Sequence, residues 1–175
     1  MPPAMNAPSP VDATLTALRS SPADPEDGRC VRVPAELGTF FGRPLKLRLD
    51  TRPPEPGRGC LSTLALWVVG RLPTPEPPPP SAADLDLARF VLTRLSDLLP
   101  QAERALFERL AGEDADGHAP PAEWVEPEIW ICRSLQTVTG RPQLWSLLTG
   151  ESGEYELSYD INFDGAELRD VGATG

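Results

Sequence analysis

From Tyr155 to Val171 the chain reads YELSYDINFDGAELRDV, where Tyr155, Leu157, Tyr159, Ile161 and Phe163 alternate with Glu156, Ser158, Asp160 and Asn162. A period of two is the repeat of a strand with one row of side chains on a core and the other in water. Asp164-Gly165 follows, a dipeptide that tolerates the positive φ angles of a type I′ turn. A two-residue turn there sets Phe163 opposite Ala166, Ile161 opposite Leu168 and Asp160 opposite Arg169. Apolar then meets apolar and opposite charges pair. The chain is therefore expected to end in a β-hairpin with one wet face.

The segments before it alternate between strand and helix signals. Residues 1–10 offer little to bury and are expected to be disordered, leaving residues 11–175 as a single domain. Val11 to Leu18 predicts a short helix with Leu15 and Leu18 on one side. Val31 and Val33 are strand material, and Thr39 to Asp50 predicts two short strands, the second with Leu45, Leu47 and Leu49 alternating with Lys46, Arg48 and Asp50. Residues 61–72 are apolar enough for full burial and fit a strand or a helix equally. PTPEPPPP, residues 73–80, predicts an extended polyproline linker.

Ser81 and Asp84 form an S-x-x-D capping box. After it Leu85, Ala88, Val91, Leu92, Leu95, Leu98 and Leu99 recur at helical spacing. Pro100 is expected to break that helix, and a second one, with Ala102, Leu106 and Leu110 inward, to end near Gly112. From Trp124 the pattern returns to β, with Ile129, Ile131 and Arg133 on one side and Trp130, Cys132 and Ser134 on the other. LWSLL predicts another buried segment. Strands, then two helices, then strands imply an α+β domain, in which a largely antiparallel sheet carries the two central helices on one face.

The net charge of -10 is unevenly placed. Residues 1–109 hold thirteen acids and thirteen bases, whereas residues 110–175 hold thirteen acids against Arg133, Arg141 and Arg169. The whole excess, thirteen minus three, lies in the C-terminal part. Such a surface repels nucleic acid and anionic membranes and attracts basic partners. Cys30, Cys60 and Cys132 are odd in number, scattered and never in a CxxC pair, so neither a zinc site nor a disulfide framework is implied. With no signal-peptide pattern at MPPAMNAPSP and no long apolar run, a cytoplasmic location is expected.

Few motifs carry chemistry. Asp160, Asn162, Asp164 and Gly165 match the opening of a calcium loop, but its twelfth position, which should be a bidentate Glu, is Val171. The hairpin is the better account. His118, the only histidine, lies in a loop rich in Gly and Pro without a cysteine or second histidine near it. No nucleophile elbow, Walker loop or dinucleotide fingerprint is present. The sequence therefore predicts no catalytic residue, metal or cofactor. A carboxylate hydrolase stays open and would need a concave pocket holding two acids with perturbed pKa values.

The terminal run Ile161-Asn162-Phe163-Asp164-Gly165-Ala166-Glu167-Leu168-Arg169-Asp170-Val171-Gly172, together with Phe40-Phe41-Gly42 and the leucine-rich Leu45 to Leu49, resembles a group of small bacterial proteins. These are found beside polymorphic toxin genes, and some act as immunity proteins. The resemblance implies a protein that binds and neutralises a toxin, and since immunity proteins share no catalytic site it transfers no active residue. A toxin acting on nucleic acid needs a basic cleft, so an acidic face is the complementary inhibitor. The expected partner-binding residues are Glu123, Trp124, Glu126, Glu128, Glu154, Glu156 and Asp160, with Trp124 at the surface among acids. The alternative is a non-catalytic scaffold domain that binds a protein through the proline tract or an apolar helix face.

Overall fold

The computed structural model describes residues 7–24, 27–54, 76–113, 124–150 and 158–174. The stretch 61–72, His118, and Glu123, Glu154 and Glu156 lie outside the described residues. The fold is α+β, with four helices and a six-stranded sheet among the described residues. The strands are β1 (Arg29–Arg32), β2 (Lys46–Asp50), β3 (Glu128–Cys132), β4 (Leu144–Gly150), β5 (Ser158–Asp164) and β6 (Glu167–Thr174). Their spatial order follows the chain. Every neighbouring pair is antiparallel except β2 and β3, which run parallel. A parallel pair needs a long crossover, and the segment between these two strands contains both central helices.

Helix α1 (Pro10–Ser20) starts where Ser9 accepts the Asp12 N–H and Pro10 occupies the first turn, its missing donor costing nothing there. It buries Leu15 and Leu18. Helix α2 (Ala82–Thr93) opens on the complete capping box, with the Ser81 N–H donating to Asp84 at 2.7 Å and the Asp84 N–H to Ser81 at 3.3 Å. The expected break at Pro100 lies elsewhere. The chain turns at Arg94, and α3 (Leu95–Glu113) contains Pro100. Proline at that position removes only the bond to the Ser96 carbonyl, and Ser96 faces solvent, where water replaces the lost donor. The apolar positions expected to face inward, from Leu85 through Leu106, are buried in one core cluster with the inward rows of the sheet.

Two further local expectations are corrected. Thr39 to Asp50 holds one strand, because Phe40 and Arg43 close a tight turn through reciprocal backbone bonds of 3.0 and 2.9 Å. Phe41 and Gly42 inside it take φ of 47° and 72°, and the Phe41 N–H donates to Glu103 at 2.6 Å. Arg133 begins a helix, α4 (Arg133–Thr139), rather than extending β3. Its β-branched threonines are accommodated because the Thr137 and Thr139 hydroxyls donate to the Arg133 and Leu135 carbonyls at 2.8 Å, and Gly140 ends it at φ 66°.

The terminal hairpin turns one residue later than expected. Gly165 and Ala166 form the loop between Asp164 and Glu167, and Gly165 has φ 60° while Ala166 keeps a negative φ, the type II′ pattern. The loop is pinned from β4's side: Trp145 Nε1 donates to the Gly165 carbonyl at 2.9 Å, and the Gly165 N–H donates to the Gln143 carbonyl at 3.0 Å. Phe163 therefore faces Leu168, and Ile161 faces Val171. Leu168 and Val171 are three residues apart, an odd spacing that a regular strand would send to opposite faces. A bulge with Arg169 as the extra residue lets both meet the core. Arg169 consequently reaches Asp164 at 3.3 Å and Glu167 at 3.1 Å, not Asp160.

Candidate binding face

The helices α1 to α3 share a core with one face of the sheet, and strand alternation sends the polar rows to the other. The register lines up Cys30, Arg48, Trp130, Ser146, Asn162 and Asp170 in a lateral row that crosses all six strands. The adjacent row runs through Arg32, Lys46, Glu128, Leu148, Asp160 and Gly172. Taken together, the two rows carry Arg32, Lys46 and Arg48 on β1 and β2, Glu128 on β3, and Asp160 and Asp170 on β5 and β6.

On the β1 to β3 side the charges compensate one another. Glu126 takes Lys46 at 2.8 Å and Arg32 at 3.4 Å, while Arg48 takes Glu128 at 2.6 Å and Asp27 at 3.3 Å. The hydrogen bond from Lys46 holds the Glu126 carboxyl below the usual range. Burial pushes Glu128 up, against the pull of Arg48 and Lys46. A groove of about 320 Å³ lies along these pairs, with Leu148 and Ser158 in its wall. Glu126 and Glu128 are thus brought together as expected, but each is matched by a cation from the first half of the chain, so they present little free charge.

The β5 and β6 side differs. A cleft of about 380 Å³ opens between α4 and the outer rows of β3 to β6, with Trp130, Leu135, Leu144, Asp160, Asn162 and Asp170 among its lining residues. Asn162 is committed on both ends of its amide: Oδ1 accepts from the Ser146 hydroxyl at 2.6 Å and Nδ2 donates to Asp170 at 2.7 Å. Asp160 shares the cleft without an ion pair or side-chain hydrogen bond among the described residues. Burial, and then the neighbouring charge of Asp170, push its carboxyl above the usual range. Arg141 and Arg169 also line the cleft, but Arg169 is held by Asp164 and Glu167.

Trp124, expected at the surface, is 4% exposed and stacks on Tyr159 at 5.4 Å between ring centroids. Both rings belong to the core cluster, so the side chain plugs an end of the sheet and cannot reach a partner. Its indole N–H is buried without an acceptor among the described residues. Of the expected binding residues, the structure therefore places Glu126 and Glu128 in the compensated groove, Asp160 in the cleft and Trp124 in the core. The residues that sequence reasoning missed are Asp170 and Trp130. Trp130's outward direction was readable from the alternation with Ile129 and Ile131, whereas Asp170's proximity to Asp160 depends on the bulge.

The chemistry available in the cleft is narrow. Two carboxylates sit together and one has a raised pKa, which meets part of the description of a hydrolytic acid pair. Ser146 is poorly placed as a nucleophile, because its hydroxyl donates to an amide oxygen and not to a base. Among the described residues, no three His, Cys, Asp or Glu side chains are grouped to hold a metal, and no helix is long and apolar enough to cross a membrane. The described part of the proline tract is tied to the fold, with Pro77 buried and the Pro78 carbonyl accepting the Thr51 hydroxyl. That geometry leaves residues 76–80 poorly available as a ligand for another domain. Comparisons of the chain with protein-family models, curated proteins and solved structures return no match.

Proposed function

We propose that this chain is a non-catalytic binding protein of the immunity type, which neutralises a cognate basic bacterial toxin acting on nucleic acid by covering its active site. The observation that carries the reading is the contrast between the two ends of the helix-free face: Glu126 and Glu128 are matched by Lys46, Arg32 and Arg48, while Asp160 and Asp170 lie together in a cleft where, among the described residues, neither forms an ion pair, Arg169 being held by Asp164 and Glu167. Negative potential is thereby concentrated at the β5 and β6 end, where it complements a positive nuclease or deaminase cleft and speeds encounter. The binding surface is accordingly centred on Asp160, with Glu126 and Glu128 at its neutral margin.

The test is to mix the protein with a basic toxin domain encoded beside it. Stoichiometric complex formation with loss of the toxin's activity is expected. No complex at either low or high salt, with toxin activity untouched, would overturn the reading.

The same cleft favours a second reading, a carboxylate hydrolase in which Asp160 donates a proton and Asp170 assists. Turnover of generic ester or glycoside substrates that Asp160→Asn abolishes would favour it over the first.

A further inference from the structure

We infer that the cleft between α4 and strands β3 to β6 is a socket for a single arginine side chain of the partner, its guanidinium lying on Trp130 and donating to Asp160 and Asp170. The inference rests on the immunity-type reading and assigns the chemistry of the contact within it.

Trp130 is the first element. Trp124 and Trp145 are each stacked, on Tyr159 at 5.4 Å and on Phe163 at 4.4 Å. Trp130 lines the cleft only half-buried, and among the described residues no ring stacks on it. Its register neighbours are Arg48 on β2 and Ser146 on β4. An aromatic face presented in a concave site attracts a flat cation through the ring quadrupole.

The second element is a surplus of acceptors. Asn162 accepts from Ser146 and donates to Asp170, so its Oδ1 keeps one lone pair and adds a neutral acceptor to the carboxylates. Among the described residues Asp160 keeps both carboxylate oxygens open, and Asp170 keeps one beyond its bond from Asn162. Arg169, the internal cation nearest to supplying donors, is drawn away to Asp164 and Glu167 by the bulge. A ligand that brings several donors in one plane answers this set, and guanidinium carries five N–H groups in a fixed fork. Lysine has no planar face to lay on the indole.

Leu135 and Leu144 supply apolar wall for a methylene stem. The cleft's volume, about 380 Å³, is at the lower end of the roughly 300 to 1,000 Å³ of small-ligand pockets, in keeping with one side chain and not a peptide. Arg141, exposed and also lining the cleft, opposes the ligand's charge. Its removal is therefore expected to tighten binding while removal of Asp160 weakens it, a pair of opposite effects that generic loss of structure cannot produce.

The experiment uses the full chain and needs no toxin. N-acetyl-arginine methylamide is titrated while the Trp130 indole N–H resonance, assigned by loss in Trp130→Phe, is followed by NMR. The matching lysine compound and the neutral citrulline compound serve as controls. Saturable movement is expected with the arginine compound at millimolar concentration, with weaker response to lysine and none to citrulline. Asp160→Asn should weaken binding roughly tenfold, the loss of a charged hydrogen bond, and Arg141→Ala should strengthen it. Equal response to citrulline, or an unchanged titration in Asp160→Asn, would overturn the inference. If the toxin complex forms but is insensitive to Asp160→Asn, the socket is rejected while the immunity-type reading stands.

Discussion

Arg133, the first residue of α4, pairs with the carboxylate of Asp84, the acidic member of α2's capping box, and another of its guanidinium nitrogens donates to the Thr51 carbonyl at 3.1 Å. One side chain thus ties the end of β2, the start of α2 and the start of α4, three segments that are remote in sequence. Burial alone would raise the Asp84 carboxyl, but hydrogen bonds from Arg133 and Ser81 outweigh it and hold the group below the usual range.

Removing that tie should be costly. Arg133→Ala leaves Asp84, 6% exposed, without its cation, and about 2 to 4 kcal/mol of stability is expected to be lost, somewhat under the range for a fully buried pair because Arg133 is partly solvated. Urea denaturation, reading the midpoint at constant slope, measures it. Because the folded pKa of Asp84 is depressed, its stabilisation is present above the unfolded value of about 3.9 and is lost as pH falls through the folded value. Wild type should therefore lose stability in acid more steeply than Asp84→Asn.

Asp160 should behave in the opposite way. Its folded pKa is raised, so the folded protein binds the proton more tightly than the unfolded chain does. Ionisation then costs stability, not at all well below pH about 4 and in full once pH exceeds the folded value. Asp160→Asn is expected to raise the melting temperature at pH 7 and to leave it nearly unchanged in acid. A variant that melts lower at neutral pH would show that the carboxylate is a structural group and not one held ready for a ligand.

Glycine is required at two turns for steric reasons. At Gly28, with φ 75°, a Cβ would stand 2.6 Å from the Leu49 carbonyl oxygen, a backbone atom that cannot move aside. At Gly165, with φ 60°, it would stand 2.8 Å from Gln143 Oε1, the end of a flexible side chain. Gly28→Ala is expected to cost more than Gly165→Ala, which should lose about 1 to 2 kcal/mol from the left-handed backbone alone. Thermal melts of the two variants decide the order.

Deleting Arg169 should be tolerated. The deletion turns the bulge into a regular ladder in which Leu168 and Val171 still face the core, and it removes only the exposed contacts to Asp164 and Glu167. Far-UV circular dichroism is expected to stay native, with a loss of roughly 1 kcal/mol or less. Since bulges blunt edge strands, aggregation on heating should increase. Loss of the native spectrum would mean that the bulge, and not the alternation, sets the register.

The α+β class and the apolar faces were legible in the sequence because they rest on periodicity. Leu85 through Leu106 fall at helical spacing, and Leu47, Leu49, Ile129 and Ile131 alternate, and all are buried. What escaped was local competition. The D-G pair suggested a turn one residue early, but the Trp145 and Gln143 bonds to Gly165 are tertiary and invisible in the hairpin's own residues. The alternation suggested a strand running on through Arg133 and Ser134, but Arg133 is drawn to Asp84 and the Thr51 carbonyl, contacts remote in sequence, and a helix starts there. For the site, acidity was legible and compensation was not. Lys46 and Arg48 are some eighty residues from Glu126 and Glu128 in the chain, and only the parallel pairing of β2 with β3 brings them together.

The most direct test of the central claim is calorimetry of the complex with the basic toxin domain, at low and high salt, for wild type and for Asp160→Asn/Asp170→Asn. Affinity is expected to fall as salt rises, and to fall in the double variant even at low salt, with the fold intact. An affinity that ignores both salt and the loss of these two carboxylates would contradict recognition of a cationic partner at this end of the sheet.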